Sequence, residues 1–434
     1  MKNGFFGWGR AVSTCVVLLS SSGLVLGDLT LADALKRAKE QNGQVLSALI
    51  AVRTARSQVV SNEGAFLPTL TASGGYDVTR RNDQTGVGGG SRRADSTTGS
   101  ADVTARWTLL DSGERGFSLG SSRRNLKAQE NTAVQTLREV LTTVHERFYD
   151  ALRAQELLKV QEAQLERVQK ILDQTKARVE LGDTRPIDIL QAEADVLNAR
   201  ATVLQARNRV TNSAATLKAA IGWPADEPLP ALAQIGEPET PAIPYTLNQA
   251  FADGIQRRAD LIADRLGIEA QGFAIRLSRI DAGVTWSLSA NASKTFGPDV
   301  FDRTGLSLEA TIPLYDGRRS QEAIRREQLR LESLRATYTQ SERNVRAEIE
   351  AAYKEYDQNR EVLAAAKAAL AAARKNYEAA IGAQEAGSGT LIQVLTAQVS
   401  LVTAESTYVQ AVYDTLISEV NLRLATGQAV PGEE

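Results

Sequence analysis

From Leu70 the chain sets Leu70, Ala72, Gly74, Tyr76 and Val78 against Thr69, Thr71, Ser73, Asp77 and Thr79 in near-strict alternation. Ala101, Val103, Ala105, Trp107 and Leu109 do the same against Ser100, Asp102, Thr104, Arg106 and Thr108. Two later runs repeat the pattern, with Trp286, Leu288, Ala290, Ala292 and Phe296 in one and Leu306, Leu308, Ala310 and Ile312 in the other. A period of two predicts strands with one oily and one wet face, here over 69–80, 100–110, 284–296 and 304–314. Runs of about ten such residues are the mark of a transmembrane β-barrel, and Tyr76, Trp107, Trp286 and Phe296 suit its interfacial girdles. Arg81 to Gly99, with Gly86, Gly88, Gly89 and Gly90 among polar residues, is expected to be a long outer loop, and Gly297 to Arg303 its short counterpart.

Elsewhere the period is seven. Residues 117–181 and 318–386 are rich in Ala, Glu, Gln, Arg and Leu, lack Pro, and predict two very long helices. Val134, Leu137, Leu141, Val144 and Phe148 alternate steps of three and four; Leu158, Leu165, Leu172 and Val179 follow at sevens, as do Leu363, Leu370 and Tyr377. Helices over 187–221 and 391–426 carry Ile187, Leu190, Ala194, Leu197, Ala201 and Leu204, matched by Ile392, Leu395, Val399, Val402, Ser406 and Val409 and followed by Tyr413, Leu416 and Val420. So narrow a stripe specifies coiled-coil packing, and a helix of about 65 residues is on the order of 100 Å long.

The two halves are one plan written twice. Leu181 to Leu190 aligns with Ala386 to Leu395 at a spacing of 205, and the phase holds through Ala192 and Ala397, Leu217 and Leu422, and Gly222 and Gly427. Upstream, Thr30-Leu31 and Ala34-Leu35 match Thr246-Leu247 and Ala250-Phe251 at 216, and Gly113 matches Gly317 at 204. The expected organisation is a first repeat over 28–222, a Pro- and Glu-rich linker over 223–244, a second repeat over 245–427 and a tail over 428–434. Each repeat runs helix, two strands, very long helix, helix.

Lys2 and Arg10, an uncharged run from Ala11 to Leu26 and Gly27 before Asp28 have the layout of a secretory signal over 1–27. Cys15, the one cysteine, falls inside it, leaving no thiol beyond for disulfides, metal ligation or nucleophilic attack. Without Lys2 and Arg10 the net charge is near −4, which implies no nucleic-acid partner. No cofactor site is expected: the glycines at 86–90 lack the Lys and the strand-to-helix setting of a phosphate loop. His145, the sole histidine, lies between Val144 and Glu146 and is expected to be a solvated helix position, and Arg123-Arg124 and Arg325-Arg326 solvated faces.

Four strands cannot close alone, and open edges are intolerable in hydrocarbon. Copies must pool strands; two would give a barrel nearly filled by its side chains, and three would give about twelve strands around a channel. The expected fold is therefore mainly α with a membrane β part: long coiled-coil-like helices, with four strands per subunit given to a trimeric twelve-stranded barrel. The heptads by themselves equally permit a periplasmic coiled-coil adaptor or scaffold without a barrel.

The whole chain past the signal resembles the TolC family of outer-membrane efflux proteins. The resemblance is carried by Leu29-Thr30-Leu31-Ala32-Asp33-Ala34-Leu35, by Phe66-Leu67-Pro68, by the corners at Leu109 to Gly113 and Leu314 to Gly317, and by Leu181-Gly182-Asp183-Thr184 with Asp188-Ile189-Leu190. It implies a homotrimer seated in outer-membrane lipid, a tunnel across the periplasm, and no enzymatic activity. Its partners would be a periplasmic adaptor (a membrane fusion protein) and an inner-membrane transporter, in tripartite efflux or type I secretion. The entrance and adaptor-docking turns would be Gly182, Asp183, Thr184 and Asp188 in the first repeat, and Gly387, Ser388, Gly389, Thr390, Gln393 and Thr396 in the second. Family members carry an Arg in the second turn and Asp residues in the helix after it. The matching positions here are Gly389, Gln393 and Thr396, leaving Asp188 as the carboxylate each subunit would bring to the entrance.

Overall fold

The computed structural model describes residues 28–83, 92–182, 185–236, 243–296 and 301–433. The leader, the glycines at 86–90, Asp183, Thr184 and parts of the linker and second hairpin tip lie outside the described residues. In chain order the elements are α1 (Leu31–Gln41), α2 (Gly43–Gly64), β1 (Thr69–Asp83), β2 (Arg92–Leu110), α3 (Glu114–Glu180), α4 (Ile187–Ile221), α5 (Leu247–Arg257), α6 (Ala259–Asp281), β3 (Thr285–Phe296), β4 (Phe301–Thr311), α7 (Arg319–Glu385) and α8 (Leu391–Ala425).

Each half opens with two helices where the sequence suggested one. Asn42 is extended (φ −71°, ψ 126°), ends α1, and caps α2 by accepting from the Gln44 N–H; its Nδ2 donates to the Ala220 carbonyl, 2.9 Å away. Arg258 breaks α5 from α6 in the same conformation and is anchored between Asp260 and Glu348. A short polar side chain that bonds the local backbone, as Asn42 does, favours such a break. Thr30 and Thr246 cap the two opening helices, the latter in a capping box with Gln249.

The strands form one antiparallel sheet in the order β1-β2-β3-β4, so β1 and β4 are both open edges. Its oily face is uncovered: Leu70, Tyr76, Leu306 and Leu308 are each about 70% exposed. The first hairpin runs further out than expected, with Arg80 opposite Asp95 and Asp83 opposite Arg92, so part of the anticipated loop is strand. Polar residues there give no face to bury, and without a buried face alternation has nothing to record. β4 ends at Thr311, three residues early, because Pro313 cannot donate to a ladder.

A locked corner joins sheet to helix. Arg115 donates to Asp111 (2.6 Å) and to the carbonyls of Thr108 (2.8 Å) and Ala65 (3.2 Å), and lies over the Phe66 ring. Trp107 adds an Nε1–H bond to the Phe66 carbonyl at 3.0 Å, the polar handle of an interfacial aromatic. The residue entering α3 is Gly113 (φ 94°); the one entering α7 is Arg318 (φ 71°), so the structural match to Gly113 lies one residue beyond Gly317.

Below the corner the long helices make a layer in the order α4-α3-α8-α7. Along α7, Val345, Ile349, Ala352 and Tyr356, and after a gap of seven Leu363, Ala366 and Leu370, are buried in steps of three and four. In α4 the buried stripe is Ala192, Val196, Ala199, Val203 and Ala206, the first three packed with Val168 and Leu172 of α3. The stripe expected from the sequence is the other one: Ile187, Leu190, Leu197 and Leu204 are all more than 60% exposed. Two apolar phases share the helix, and the larger residues face away from the chain's own core.

That core sits midway along the helices. Leu141, Val144, Phe148 and Leu152 of α3 gather Leu35, Leu217, Tyr413 and Val420, and the linker returns to it, the Leu29 N–H reaching the Ala231 carbonyl at 2.6 Å and the Ala233 N–H the Leu29 carbonyl at 3.0 Å. The residues after α8 are strapped onto α3: Glu433 accepts from Arg138 Nε at 3.0 Å, and Val430 is 1% exposed. Against expectation His145 is buried too, at 1% exposure, its Nε2 3.0 Å from the Pro431 carbonyl. The chain's last residues fold back over what a helical wheel would leave in solvent. Arg123 and Arg124 do lie on the surface, paired with Glu63 and Glu269.

The repeats also trade volume. Gly254 of α5 abuts fully buried Ile349 of α7, and a Cβ there would stand 2.4 Å from the Ile349 Cδ1. The first-repeat counterparts are Ala38 and Val144, both 0% exposed, so one methyl group has moved across the contact. Gly254→Ala is expected to lower stability by about 1–3 kcal/mol through overpacking, and adding Ile349→Val to restore most of it. A thermal or urea melt of the helical signal checks this, and additive losses in the double variant would refute it.

Burial holds the His145 pKa below its ordinary value of 6.5; the Pro431 carbonyl and Glu419 oppose that effect and Arg423 adds to it. The unfolded chain therefore binds more protons than the folded one just below pH 6.5, and stability present above that value is lost as the pH falls through it. The melting midpoint is expected to drop between about pH 7.5 and about pH 5.5, and the drop to shrink in His145→Gln. Equal drops in both proteins would rule His145 out as the titrating group.

Candidate functional site

Two helical turns meet at the end of the layer far from the sheet. In the first, α3 stops at Leu181 and Gly182 (φ 78°) donates to the Val179 carbonyl at 3.0 Å. In the second, Gly387 (φ 75°) donates to Gln384, while Ser388 and Gly389 both donate to the Ala383 carbonyl at 2.9 and 2.8 Å. Closures of this kind use orphan helix carbonyls and need a left-handed residue that only glycine supplies without strain.

The helices leaving these turns begin differently. Thr390 caps α8 by accepting from the Gln393 N–H (3.3 Å), and the Gln393 Oε1 accepts from the Thr390 N–H (2.9 Å). Gln393 is thus committed to a capping box. Pro186 gives α4 no side-chain cap; Asp188 stands in its first turn, where the helix dipole favours a carboxylate, 3.4 Å from the Nη2 of exposed Arg185. Thr396 bonds back to the Ile392 carbonyl at 2.8 Å.

Between α4 and α8, with α3 as floor, runs an open groove of about 1390 Å³. Arg185, Asp188, Thr390 and Thr396 all line it, so residues from both turns converge, whereas Gly182, Gly387, Ser388, Gly389 and Gln393 stand outside its lining. Ile187, Leu190, Ile392 and Val399 edge the groove at 63 to 74% exposure.

The floor holds residues the sequence did not single out. Gln398 is 1% exposed and donates through Nε2 to Gln164 Oε1 at 3.0 Å, its own Oε1 buried without a partner. Nearby Arg167 pairs with Glu405 at 3.0 Å, both side chains being about one-fifth exposed. The available signal was a glutamine and a glutamate on the α8 face one turn from the apolar stripe, which in isolation reads as an ordinary solvated edge.

The model of the family "Outer membrane efflux protein" matches twice, over residues 34–223 and 255–428. The chain is 25% identical over 405 residues to the outer membrane efflux protein BepC of Brucella suis, covering 92% of this chain and 85% of that protein. To the outer membrane protein TolC of Vibrio cholerae it is 24% identical over 417 residues, covering 92% and 90%. Among solved structures, the CmeC outer membrane channel of Campylobacter jejuni superposes with a TM-score of 0.81 at 15% identity, covering 93% and 87%. The open MtrE outer membrane channel of Neisseria gonorrhoeae gives 0.75 at 19%, covering 93% and 90%. A periplasmic scaffold without a barrel is set aside by these matches, which span both sheet and helices. The chain belongs to the outer membrane efflux protein family and is an outer-membrane channel of efflux systems.

Proposed function

We propose that three copies of this chain assemble into one duct, with a twelve-stranded barrel in the outer membrane and the long helices enclosing a tunnel through the periplasm. The observation that carries this reading is the sheet: four strands with an uncovered oily face and two open edges, β1 and β4. Unpaired backbone groups cost several kcal/mol each in hydrocarbon, so the edges must pair with other copies. The duct conducts passively, and the driving energy comes from an inner-membrane transporter joined to it through a periplasmic adaptor, in a tripartite efflux or type I secretion assembly.

The adaptor docks on the groove between α4 and α8 and on the paired turns, from Gly182 through Asp183 and Thr184 to Asp188, and from Gly387 through Ser388, Gly389 and Thr390 to Gln393 and Thr396. Isoleucine, leucine and valine at the groove edge suit the apolar face of a helical hairpin. Three Asp188 carboxylates, one from each subunit, sit at the entrance. Positions 389, 393 and 396 contribute no further charge, so the entrance is less acidic than in relatives that carry Asp there.

Outer-membrane fractions are expected to contain the chain as a trimer that runs as a slow, high-mass band before boiling and as a single chain after. Recovery of only monomers from detergent, with none captured by an amine crosslinker, would sink the duct. Val399→Arg or Ile392→Glu, both on the α8 side of the groove, should leave the trimer intact but bury an unpaired charge on docking. That costs about 2 kcal/mol, roughly thirtyfold in adaptor affinity, and abolishes export-dependent resistance. Unchanged adaptor binding in both variants would move the docking surface elsewhere.

A further inference from the structure

The helical layer, like the sheet, ends in two open sides. α4 packs on α3 and α1, and α7 on α8, α6 and α5, so each leaves one flank free. The repeat says what belongs there. α3 and α7 are both 67 residues long and offset by 205, and Gly222 after α4 corresponds to Gly427 after α8 at the same offset. The joint between α3 and α8 inside the chain is therefore the repeat equivalent of a joint between α7 and the α4 of another copy.

In the joint that exists, Gln164 and Arg167 of α3 bond Gln398 and Glu405 of α8; helical spacing of three and four places Leu157 and Val160 of α3, and Val402 and Val409 of α8, along the same two stripes. Moved by one repeat, the α3 side becomes Val362, Ala365, Ala369 and Ala372, all exposed along α7. The α8 side becomes Glu193, Leu197, Arg200 and Leu204 of α4, with Leu197 and Leu204 63% and 61% exposed. Bulky leucines seven residues apart thus face a stripe of small residues spaced three and four apart, the size complementarity that seats knobs in holes.

Charge agrees with shape. Inside the chain Arg153 pairs with Asp414 at 2.6 Å; one repeat on, the positions are Gln358 and Arg209, and Glu361 follows Gln358 by one turn. Among the described residues neither Arg209 nor Glu361 has an ion-pair partner in its own chain.

We infer that the tunnel wall is closed by a leucine-on-alanine seam, Leu197 and Leu204 of one subunit against Val362, Ala365, Ala369 and Ala372 of the next, finished by Arg209 reaching Glu361. This rests on the trimer proposed above. The glutamine pair and the Arg167–Glu405 pair that fix register within a chain become Ala369 opposite Glu193 and Ala372 opposite Arg200, so the seam between copies is set by side-chain size.

The chain past residue 27 has no cysteine, so paired cysteines report directly. In the full-length protein, Leu197→Cys with Ala369→Cys, and Leu204→Cys with Val362→Cys, are treated with a short bis-maleimide and compared with each single variant. A control joins Leu197→Cys to Ala351→Cys, which lies about 27 Å further along α7. Most of the chain should shift to two- and three-chain bands in the matched pairs and stay single in the others. A trimer intact by sedimentation whose matched pairs do not link overturns the seam and leaves the trimer standing. So does a single variant that links to itself, since it signals a face-to-face twofold contact. Sedimentation as monomer removes the trimer, and the seam with it.

Discussion

An unpaired strand edge cannot be left in hydrocarbon. Each edge strand crossing a bilayer turns about five residues outward, and their bare N–H and C=O groups together cost tens of kcal/mol. Among the described residues this chain has two such edges and four strands, a number that cannot close. The same incompleteness runs down into the helices, where α4 and α7 each keep an apolar or small-residue flank that nothing in the chain covers. The corner between β2 and α3 is braced by Arg115, so whatever closes the barrel also bears on the spacing at which the helices meet.

Much of this was legible in the sequence because it is periodic. Alternation located the four strands, heptads the four long helices, and gapless self-alignment the duplication. The failures share a cause, which is that a pattern records only that a face is buried, not by what. The stripe from Ile187 to Leu204 was visible, yet the chain buries the Ala192 to Ala206 phase, because α3 accepts small residues closely and leaves the leucines outward. His145 looked solvated until the tail after α8 was seen to cover it. The break at Asn42 comes from one side chain bonding the backbone and that at Arg258 from one held between two carboxylates, signals no periodicity carries.

The candidate site was only half legible. Gly182 and Gly387 announce turns, and the structure gives both left-handed φ values. That Asp188 and Thr396 share a groove, while Gln393 is absorbed in a capping box, depends on how two helical hairpins approach across α3. The buried Gln164–Gln398 contact belongs to the same class of fact: it joins residues from opposite repeats, so neither repeat alone displays it.

Duplication supplies two equivalent joints, and the chain can optimise only one of them internally. On α3, Leu141, His145, Tyr149 and Leu152 are buried under α8 and the tail; the corresponding residues of α7 are Arg346, Glu350, Lys354 and Asp357, all exposed. A face that must fold with its own chain is made apolar and filled, whereas a face that must wait for another copy is kept soluble with charge, since large bare apolar patches invite aggregation. Nearer the turns the α7 flank gives up charge for alanine, and the opposite flank of α4 carries leucine. The divergence between repeats thus follows which joint lies inside the chain: α3 is covered by α8 and the tail, whereas α4 and α7 each keep an open flank.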